Sequence, residues 1–342
     1  MHLLIVIPRQ SRATGNHVTA ARFAEQLDKL GWQVRRVETD PINTTAIAGA
    51  LRQNRPDVAL LLHAWRSGHP WLQTPEAKDI PFAVLMTGTD LNRDLDIPEK
   101  AAVIHQVRQR AAAVIVQNRL VFEQLRRGGS PWREKLHLLP PGTRLGSQDY
   151  PLRERLRMTD DNVLLLLHPA SIRPVKGNLE LLRMSDHLLG ADSAFRLVFC
   201  GPVLDRSYAE AFFAALKTRP HACYLGEIPC AAMPAAMCQA DLILNNSLSE
   251  GVANALVEAA TLGRPILARD IPGNRAVVIP EVNGLLYGDE TGFHRQARRL
   301  LTDPDLRRRL ARPDPFSYAA EAEGRLLAAI LEAIVSQREA RT

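Results

Sequence analysis

The segment DLILNNSLSEGVANALVEAATLGRPILA, residues 241–268, contains one complete strand, loop, helix and strand unit. The apolar run at 241–244 predicts a buried strand, and the polar NNSLSEG run predicts a loop. ANALVEAATL at 253–262 predicts a helix that ends before Gly263, and PILA at 265–268 predicts a second strand. This order of elements is typical of a parallel α/β sheet.

Short apolar runs recur along the chain, each followed by a longer segment of helical periodicity. The first series comprises residues 3–7, 58–62, 82–86 and 112–116, and the second comprises 163–167, 195–200, 222–225, 241–244 and 265–268. Continuous apolar runs are typical of parallel strands that are buried on both faces. With 342 residues the chain is long enough for two domains. We therefore predict an α/β protein with two Rossmann-like βαβ domains that face a cleft.

A stretch rich in proline, glycine and charge at residues 140–161 separates the two series, as is typical of a connection between domains. We assign residues 1–150 to the first domain and 151–315 to the second. Residues 316–342 are predicted to form an amphipathic C-terminal helix that packs across the fold. The apolar stripe of this helix is expected to consist of Leu326, Ala329, Ile330 and Ile334.

Two glutamates, Glu250 and Glu258, stand eight positions apart in the opening segment. Glu250 falls in the predicted loop and Glu258 in the helix, so a rise of ~1.5 Å per residue separates them by up to ~12 Å along the axis. A glycosidase pair needs carboxyl groups only ~5 to ~9.5 Å apart. We therefore expect the two acids to contact different parts of one long ligand.

The main-chain amides between these glutamates open a helix at the end of a predicted parallel strand. They belong to Gly251, Val252, Ala253 and Asn254. Unbonded N–H groups and the helix dipole favour an anion there. A phosphate in the middle and hydroxyl groups at both ends describe a nucleotide sugar. In the alternative, Glu258 lies on an exposed helix face and Glu250 caps the helix; the apolar residues around Glu258 argue for a buried carboxylate, which needs hydrogen-bond donors.

A second candidate anion site follows an earlier strand, in VLLLLHPASIRPVKGNLELL at residues 163–182. Arg173 and Lys176 lie in the loop after this strand, where they can reach a ligand in the crevice of an open α/β sheet. A diphosphate gains charge as it leaves, so two fixed cations stabilise the transition state more than the ground state. Taken alone, an Arg-x-x-Lys pair is equally consistent with two surface charges.

SEGVANALVEA at 249–259, followed by GRPILARDIPGN at 263–274, resembles the signature of retaining glycosyltransferases of the GT-B fold, family 4, also called glycosyl transferases group 1. The resemblance implies a nucleotide-sugar donor and a front-face displacement with retention. It places Glu250 on the hydroxyls of the donor sugar and Glu258 on the ribose.

The resemblance also implies roles for two further segments of the second domain. The family carries an arginine and a Lys-Gly pair at the loop that here contains Arg173 and Lys176, so both cations are expected at the diphosphate. YLGEIPCAAM at 224–233 resembles the segment that contacts the base. The backbone groups of Glu227 and Ile228 are the candidates for this contact.

Three loops of the first domain carry candidate residues. Gly15-Asn16 stands where the family usually has Gly-Gly close to donor and acceptor. His63 and Asp90 follow two predicted strands, and both are expected to face the cleft as catalytic residues. Many family members have a histidine before Gly-x-Asp, and here that position is Thr87. His63 is therefore the candidate replacement, with a purely structural histidine as the alternative.

Together these segments are similar to a subgroup that includes the glycosyltransferase 1 domain-containing proteins and the selenosugar synthases. We predict transfer of a sugar from a UDP-sugar, such as UDP-N-acetylglucosamine or UDP-glucose, to a small-molecule acceptor with retention. The alternatives are selenosugar synthase-like transfer to selenophosphate, a GT-B nucleotide-sugar epimerase and a non-catalytic nucleotide-sugar sensor. No G-x-G-x-x-G follows the first strand, which argues against dinucleotide binding.

Composition excludes several other classes. A net charge of +6 favours anionic partners, but aromatic residues make up only 5% of the chain. The basic segment LRRRLARPD at 306–314 has no interleaved aromatic residues, so no nucleic-acid binding is predicted. No apolar run approaches the ~18 residues of a membrane span. The N-terminal run MHLLIVIPRQ indicates a buried strand rather than a targeting signal.

Neither a metal nor a cofactor is predicted. The chain has four cysteines without a CxxC pair: Cys200, Cys223, Cys230 and Cys238. We interpret them as core thiols of a cytoplasmic protein. No Asp-x-Asp motif is expected in a cleft-facing loop, and no Cys/His cluster has the spacing of a ligand set, so sugar transfer should not depend on a divalent metal.

Overall fold

A computed structural model describes residues 1–9, 15–128, 132–188 and 194–340. The chain divides into two compact units. Unit 1 comprises Met1–Gly142 and Tyr318–Thr342, and unit 2 comprises Thr143–Ser317. No helix in the described ranges is long and apolar enough to cross a membrane.

Within its described residues, unit 1 is built on a parallel sheet of six strands in the order β2-β1-β3-β4-β5-β6. The strands are β1 His2–Pro8, β2 Gln33–Thr39, β3 Val58–Leu62, β4 Phe82–Met86, β5 Ala113–Val116 and β6 Leu136–Leu138. The helices are α1 Gly15–Lys29, α2 Thr45–Gln53, α3 Gly68–Gln73, α4 Gly88–Asn92, α5 Pro98–Arg110 and α6 Arg119–Arg127. The chain changes direction across the sheet between β1 and β3, so the loops after these two strands flank a crevice typical of ligand binding.

Unit 2 has its own parallel sheet, whose described strands number six in the order β12-β11-β10-β7-β8-β9. The strands are β7 Leu164–Pro169, β8 Phe195–Cys200, β9 Ala222–Tyr224, β10 Leu242–Asn245, β11 Ile266–Arg269 and β12 Gly284–Tyr287. The helices are α7 Leu152–Arg155, α8 Asn178–Ser185, α9 Arg206–Leu216, α10 Met233–Cys238, α11 Asn254–Thr261, α12 Pro272–Arg275, α13 Glu290–Thr302 and α14 Pro304–Leu310. This is the doubly wound order in which β7 and β10 are neighbours at the switch point.

The nine apolar runs all form strands, but the sequence analysis missed β2, β6 and β12. All three lie at a sheet edge. An edge strand needs an apolar side only where it faces the core. In β2 (QVRRVET), for example, buried or half-buried side chains alternate with exposed ones over much of the strand. β2 and β6 therefore lack the continuous apolar run by which the others were predicted, whereas β12 (GLLY) is apolar but short.

The last helix, α15 (Ala320–Glu339), belongs to unit 1 and packs on α1. Its buried apolar side chains are Ala320, Leu327, Ala328, Ile330, Leu331 and Ile334. The predicted stripe was wrong at Leu326, which is 41% exposed, and at Ala329, which is also exposed. A buried ion pair fixes the helix: Arg22 Nε on α1 donates to Glu323 Oε2 over 2.6 Å.

The cysteines correct a second expectation. Cys200 is buried in β8, but Cys223 is half-buried, and Cys230 and Cys238 are exposed. All four are free thiols. The interpretation as core thiols therefore holds only for Cys200.

Candidate active site

The switch point of unit 2 brings together the loops that follow β7 and β10. Lys176 Nζ donates a hydrogen bond to Glu250 Oε1, and Ser247 Oγ donates to the same oxygen over 2.7 Å. The side chains of Lys176 and Glu250 are only 16% and 13% exposed. The structure therefore joins two residues that are 74 positions apart in sequence, both of them predicted site residues.

The electrostatics of this pair keep Glu250 ionised. Burial by itself would raise the pKa of the Glu250 carboxyl. The Lys176 ammonium, the Ser247 hydroxyl and the charge of Arg173 outweigh burial, so the pKa lies below its ordinary value. Arg173 is thus close enough to act on the same carboxylate, and the three predicted residues form one cluster.

A sharp turn places Lys176 in this cluster. Pro174–Lys176 form a single 3-10 turn, and Gly177 follows with φ of 60°, a left-handed conformation that favours glycine. A Cβ at Gly177 would lie 2.6 Å from Nδ2 and from the carbonyl oxygen of Asn246. The turn can therefore lie against the β10 loop only because residue 177 is glycine.

A second glycine, Gly273, allows its own segment of the chain to lie directly against the backbone of Glu250. A Cβ at Gly273, in the short helix α12 that follows β11, would lie 2.5 Å from the Cβ and the carbonyl oxygen of Glu250. The IPGN segment that contributed to the family resemblance thus supports the backbone of Glu250 directly.

The predicted anion site at the start of α11 follows Glu250 immediately. α11 begins at Asn254, and its N-cap residue Ala253 has extended backbone angles and no capping side chain. Gly251 and Val252 precede the cap and are half-buried. The backbone from Gly251 to Asn254 therefore connects Glu250 to the first residue of α11, and the anion site there stays a prediction.

Glu258 lies one turn into α11 and is half-buried. Burial, and after it the neighbouring charge of Glu258, raises the pKa of the Cys230 thiol. This places the carboxylate beside the loop that contains Glu227 and Ile228. Ile228 is buried and Glu227 is exposed. The charge of Glu258 therefore acts on Cys230, which follows Ile228 by two positions.

In unit 1, Gly15 and Asn16 form the first turn of α1 rather than the loop before it. The rest of the predicted loop, residues 10–14, lies outside the described residues. Gly15 is exposed and Asn16 is half-buried. Both are therefore on the side of the sheet where β1 ends, at the switch point of unit 1.

His63 is buried, with a relative exposure of 1% and an unusual positive φ of 85°. Its Nδ1 accepts from the backbone N–H groups of Trp65 and Arg66, so the ring proton is on Nε2, which donates to Thr89 Oγ1 over 2.8 Å. Burial, followed by the charges of Arg66 and Lys100, holds the pKa of His63 well below its ordinary value. His63 is therefore neutral at pH 7 and has no basic nitrogen available to a substrate.

Asp90 does not project into a crevice, contrary to the prediction, because it is fully buried. Its Oδ1 accepts from the N–H and hydroxyl of Thr87 in a capping box, and its Oδ2 accepts from Ala64 N over 2.6 Å. Burial raises the pKa of Asp90 to about 7, although these bonds and Arg108 act in the opposite direction. Asp90 joins the loops after β3 and β4 and is a structural residue.

Comparisons with known proteins agree with this geometry. Residues 154–313 match the family model described as glycosyl transferases group 1. The chain is 27% identical over 303 residues to glycosyltransferase 1 domain-containing protein 1 of Xenopus tropicalis, covering 87% of each chain. It is 26% identical over 276 residues to a D-inositol 3-phosphate glycosyltransferase of Xylanimonas cellulosilytica, covering 73% of this chain and 64% of that one.

Among solved structures, the Anabaena protein HepE in complex with UDP and glucose superimposes with a TM-score of 0.77 at 15% identity, covering 97% of this chain and all of the other. The matches and the two doubly wound units define a glycosyltransferase enzyme of the GT-B fold, as predicted. The segment that matches the group 1 glycosyltransferases, residues 154–313, lies within unit 2.

Proposed function

We propose that the protein transfers a sugar from a UDP-sugar, such as UDP-N-acetylglucosamine or UDP-glucose, to a small-molecule acceptor with retention of configuration. The cluster of Lys176, Arg173 and Glu250 at the switch point of unit 2 carries this proposal. UDP bound to the Anabaena structure supports the choice of nucleotide. The cytoplasmic location stays a prediction.

Lys176 and Arg173 are the groups proposed to receive the diphosphate. Breaking the glycosidic bond leaves an additional negative charge on the β-phosphate, and fixed cations in a partly dehydrated site stabilise that charge most strongly in the transition state. The start of α11 adds its backbone N–H groups to this site. No proton donor is needed, because UDP leaves as an anion.

The two glutamates are proposed to hold the ends of the donor. Lys176 has three N–H donors, so it can contact the phosphate while it still keeps Glu250 ionised, and Glu250 accepts hydrogen bonds from sugar hydroxyls. Glu258 accepts from the ribose hydroxyls, and the backbone of Glu227 and Ile228 contacts the base. Gly15 and Asn16 remain proposed donor contacts from unit 1.

Unit 1 is proposed to bind the acceptor through groups at the ends of β3 and β4. The hydroxyl of Thr89 accepts from His63 Nε2, so its own proton points away from the imidazole and can be donated to a substrate. His63 therefore orients Thr89 instead of abstracting a proton. The buried Asp90 carboxylate joins the loops after β3 and β4 by accepting hydrogen bonds from Ala64 N and Thr87 N.

Turnover should not require a divalent metal, and exhaustive chelation with EDTA is expected to leave the rate of UDP release unchanged. The sequence contains Asp-x-Asp twice, at Asp94 and Asp96 and at Asp303 and Asp305, and Asp303 of the second pair caps α14. Asp94 is buried and its Oδ1 accepts from Lys100 Nζ over 2.9 Å, whereas Asp96 is exposed. In the described ranges no group of three acidic, histidine or cysteine side chains could hold a metal ion. A loss of rate that Mg²⁺ or Mn²⁺ restores would contradict the proposal.

The function itself is tested by incubating the protein with UDP-N-acetylglucosamine or UDP-glucose and a panel of alcohol, thiol and selenophosphate acceptors. We expect UDP release that depends on an acceptor, and an α-linked product from these α-configured donors. An epimerase would alter the donor without an acceptor, and a sensor would bind UDP in calorimetry without turnover. Transfer to selenophosphate alone would favour the selenosugar alternative.

A further inference from the structure

We propose that Asn246 is a positioning residue for sugar transfer, because its side-chain amide sets the place of Lys176 relative to Glu250. The inference rests on the proposed function, since its effect is on departure of the diphosphate. Asn246 follows β10 directly and is completely buried.

The side-chain amide of Asn246 forms hydrogen bonds through both its nitrogen and its oxygen. Its Nδ2 donates to the carbonyl oxygen of Gly177 over 2.8 Å. Its Oδ1 accepts from the hydroxyl of Tyr287 over 2.7 Å and from Arg269 Nε over 3.1 Å. One buried side chain thus joins the loop after β7 to the ends of β11 and β12, and two donors fix which side of the amide faces Gly177.

The Gly177 carbonyl lies where the Pro174–Lys176 turn meets α8, so a hydrogen bond to it fixes the position of the turn. The same oxygen accepts from Leu181 N, in the first turn of α8, over 2.9 Å. Lys176 immediately precedes it, and Leu248 N donates to Val175 O over 2.8 Å on the other side of the turn. The backbone of Lys176 is therefore held between two bonds that both come from the β10 loop.

Glu250 lies on that same loop, four positions after Asn246. Displacement of the turn by a few tenths of an ångström would alter the distance between the ammonium and the leaving oxygen while leaving the loop of Glu250 in place. Fixed charges act in the transition state only at the correct distance. Loss of the bond to Gly177 should thus reduce turnover mainly through Lys176, which immediately precedes Gly177.

Tyr287 and Arg269 supply the orientation of the amide. Burial raises the pKa of the Tyr287 hydroxyl, although the charge of Arg269 acts in the opposite direction, so it remains a donor throughout the working range of pH. Removing this hydroxyl leaves the Arg269 bond and the Gly177 bond in place. We expect a smaller effect from Tyr287→Phe than from changes at Asn246.

The test compares Asn246→Asp, Asn246→Ala and Tyr287→Phe with wild type, alone and combined with Lys176→Ala. Asn246→Asp has the same shape and keeps the acceptor for Tyr287 and Arg269, but it places an oxygen against the Gly177 carbonyl. We expect Asn246→Asp and Asn246→Ala to lower kcat for a UDP-sugar by about tenfold, the effect of losing one buried hydrogen bond. In the Lys176→Ala background both changes should have an effect of less than about twofold, because coupled residues are not additive.

Asn283→Ala is the matched control, since the Asn283 amide also joins two backbone groups of unit 2, Ile279 N and Val277 O. It should leave kcat unchanged. Equal effects of Asn246→Asp with and without Lys176, or a wild-type kcat for Asn246→Asp, would overturn the inference. Thermal unfolding of each variant identifies misfolding, and if Asn246→Ala does not fold, Asn246→Asp and Tyr287→Phe decide. A wild-type protein without acceptor-dependent UDP release would instead refute the proposed function.

Discussion

Lys176→Ala is expected to lower turnover of a saturating UDP-sugar by about 100-fold or more, the usual loss when one preorganised charge is removed from a transition state. The ammonium is held by Glu250 and is mostly buried, so neither water nor another side chain replaces it. Steady-state UDP release over a range of donor concentrations measures the effect. The fold should be retained, because Lys176 lies in a turn that backbone bonds and Asn246 also hold.

A second readout separates this role from a general structural one. Without Lys176, the pKa of the Glu250 carboxyl rises, because burial raises it and only Ser247 and Arg173 still lower it. A raised pKa means protonation at higher pH, so the residual activity of the variant should fall as the pH is lowered, over a range where wild type is constant. Lys217→Ala removes an exposed lysine of unit 2 and serves as the matched control. Arg173→Ala should resemble Lys176→Ala, and near-wild-type rates for both variants would show that the diphosphate binds elsewhere.

The central strands of each sheet were predictable from sequence. Of the four edge strands in the described part of the chain, only β9 was predicted. β3 and β4 are buried at every position, so their apolar runs are unbroken. β2 faces solvent along part of its length, and its two arginines conceal it. The helix end marked by Gly263 was located well, because Gly263 has a positive φ of 65° directly after α11.

The candidate site was likewise predicted only in part. The rule that ligands bind at the carboxyl ends of parallel strands, together with the family resemblance, assigned Lys176 and Glu250 to one donor. The rule could not tell which strand-end residues face outward: Asp90 turns inward to cap a helix, and the imidazole of His63 is turned inward with Nδ1 on two backbone amides. Asn246 was missed because nothing in an isolated asparagine indicates three bonds to three separate segments.

Glu250→Gln and Glu258→Ala should separate turnover from nucleotide affinity. Gln at position 250 keeps the shape but cannot accept sugar hydroxyls as a charged group, and a hydrogen bond to a charged group contributes roughly 1.5 to 3 kcal/mol. We expect a loss of kcat of roughly 10- to 100-fold. The Kd for UDP should stay the same or become lower, because Lys176 is then released from its ion pair and can contact the diphosphate fully.

Glu258→Ala should give the opposite result. The carboxylate beside the 227–228 loop is the proposed acceptor for the ribose hydroxyls, so its removal should raise the Kd for UDP by roughly 10-fold or more, on the same scale for hydrogen bonds to a charged group. The kcat at saturating donor should change much less, since the ribose is bound equally in ground and transition states. Calorimetry measures the Kd for UDP of each variant, and steady-state kinetics measure its kcat. An unchanged Kd for Glu258→Ala would remove the ribose assignment, and a Kd raised by Glu250→Gln would mean that Glu250 contacts the nucleotide rather than the sugar.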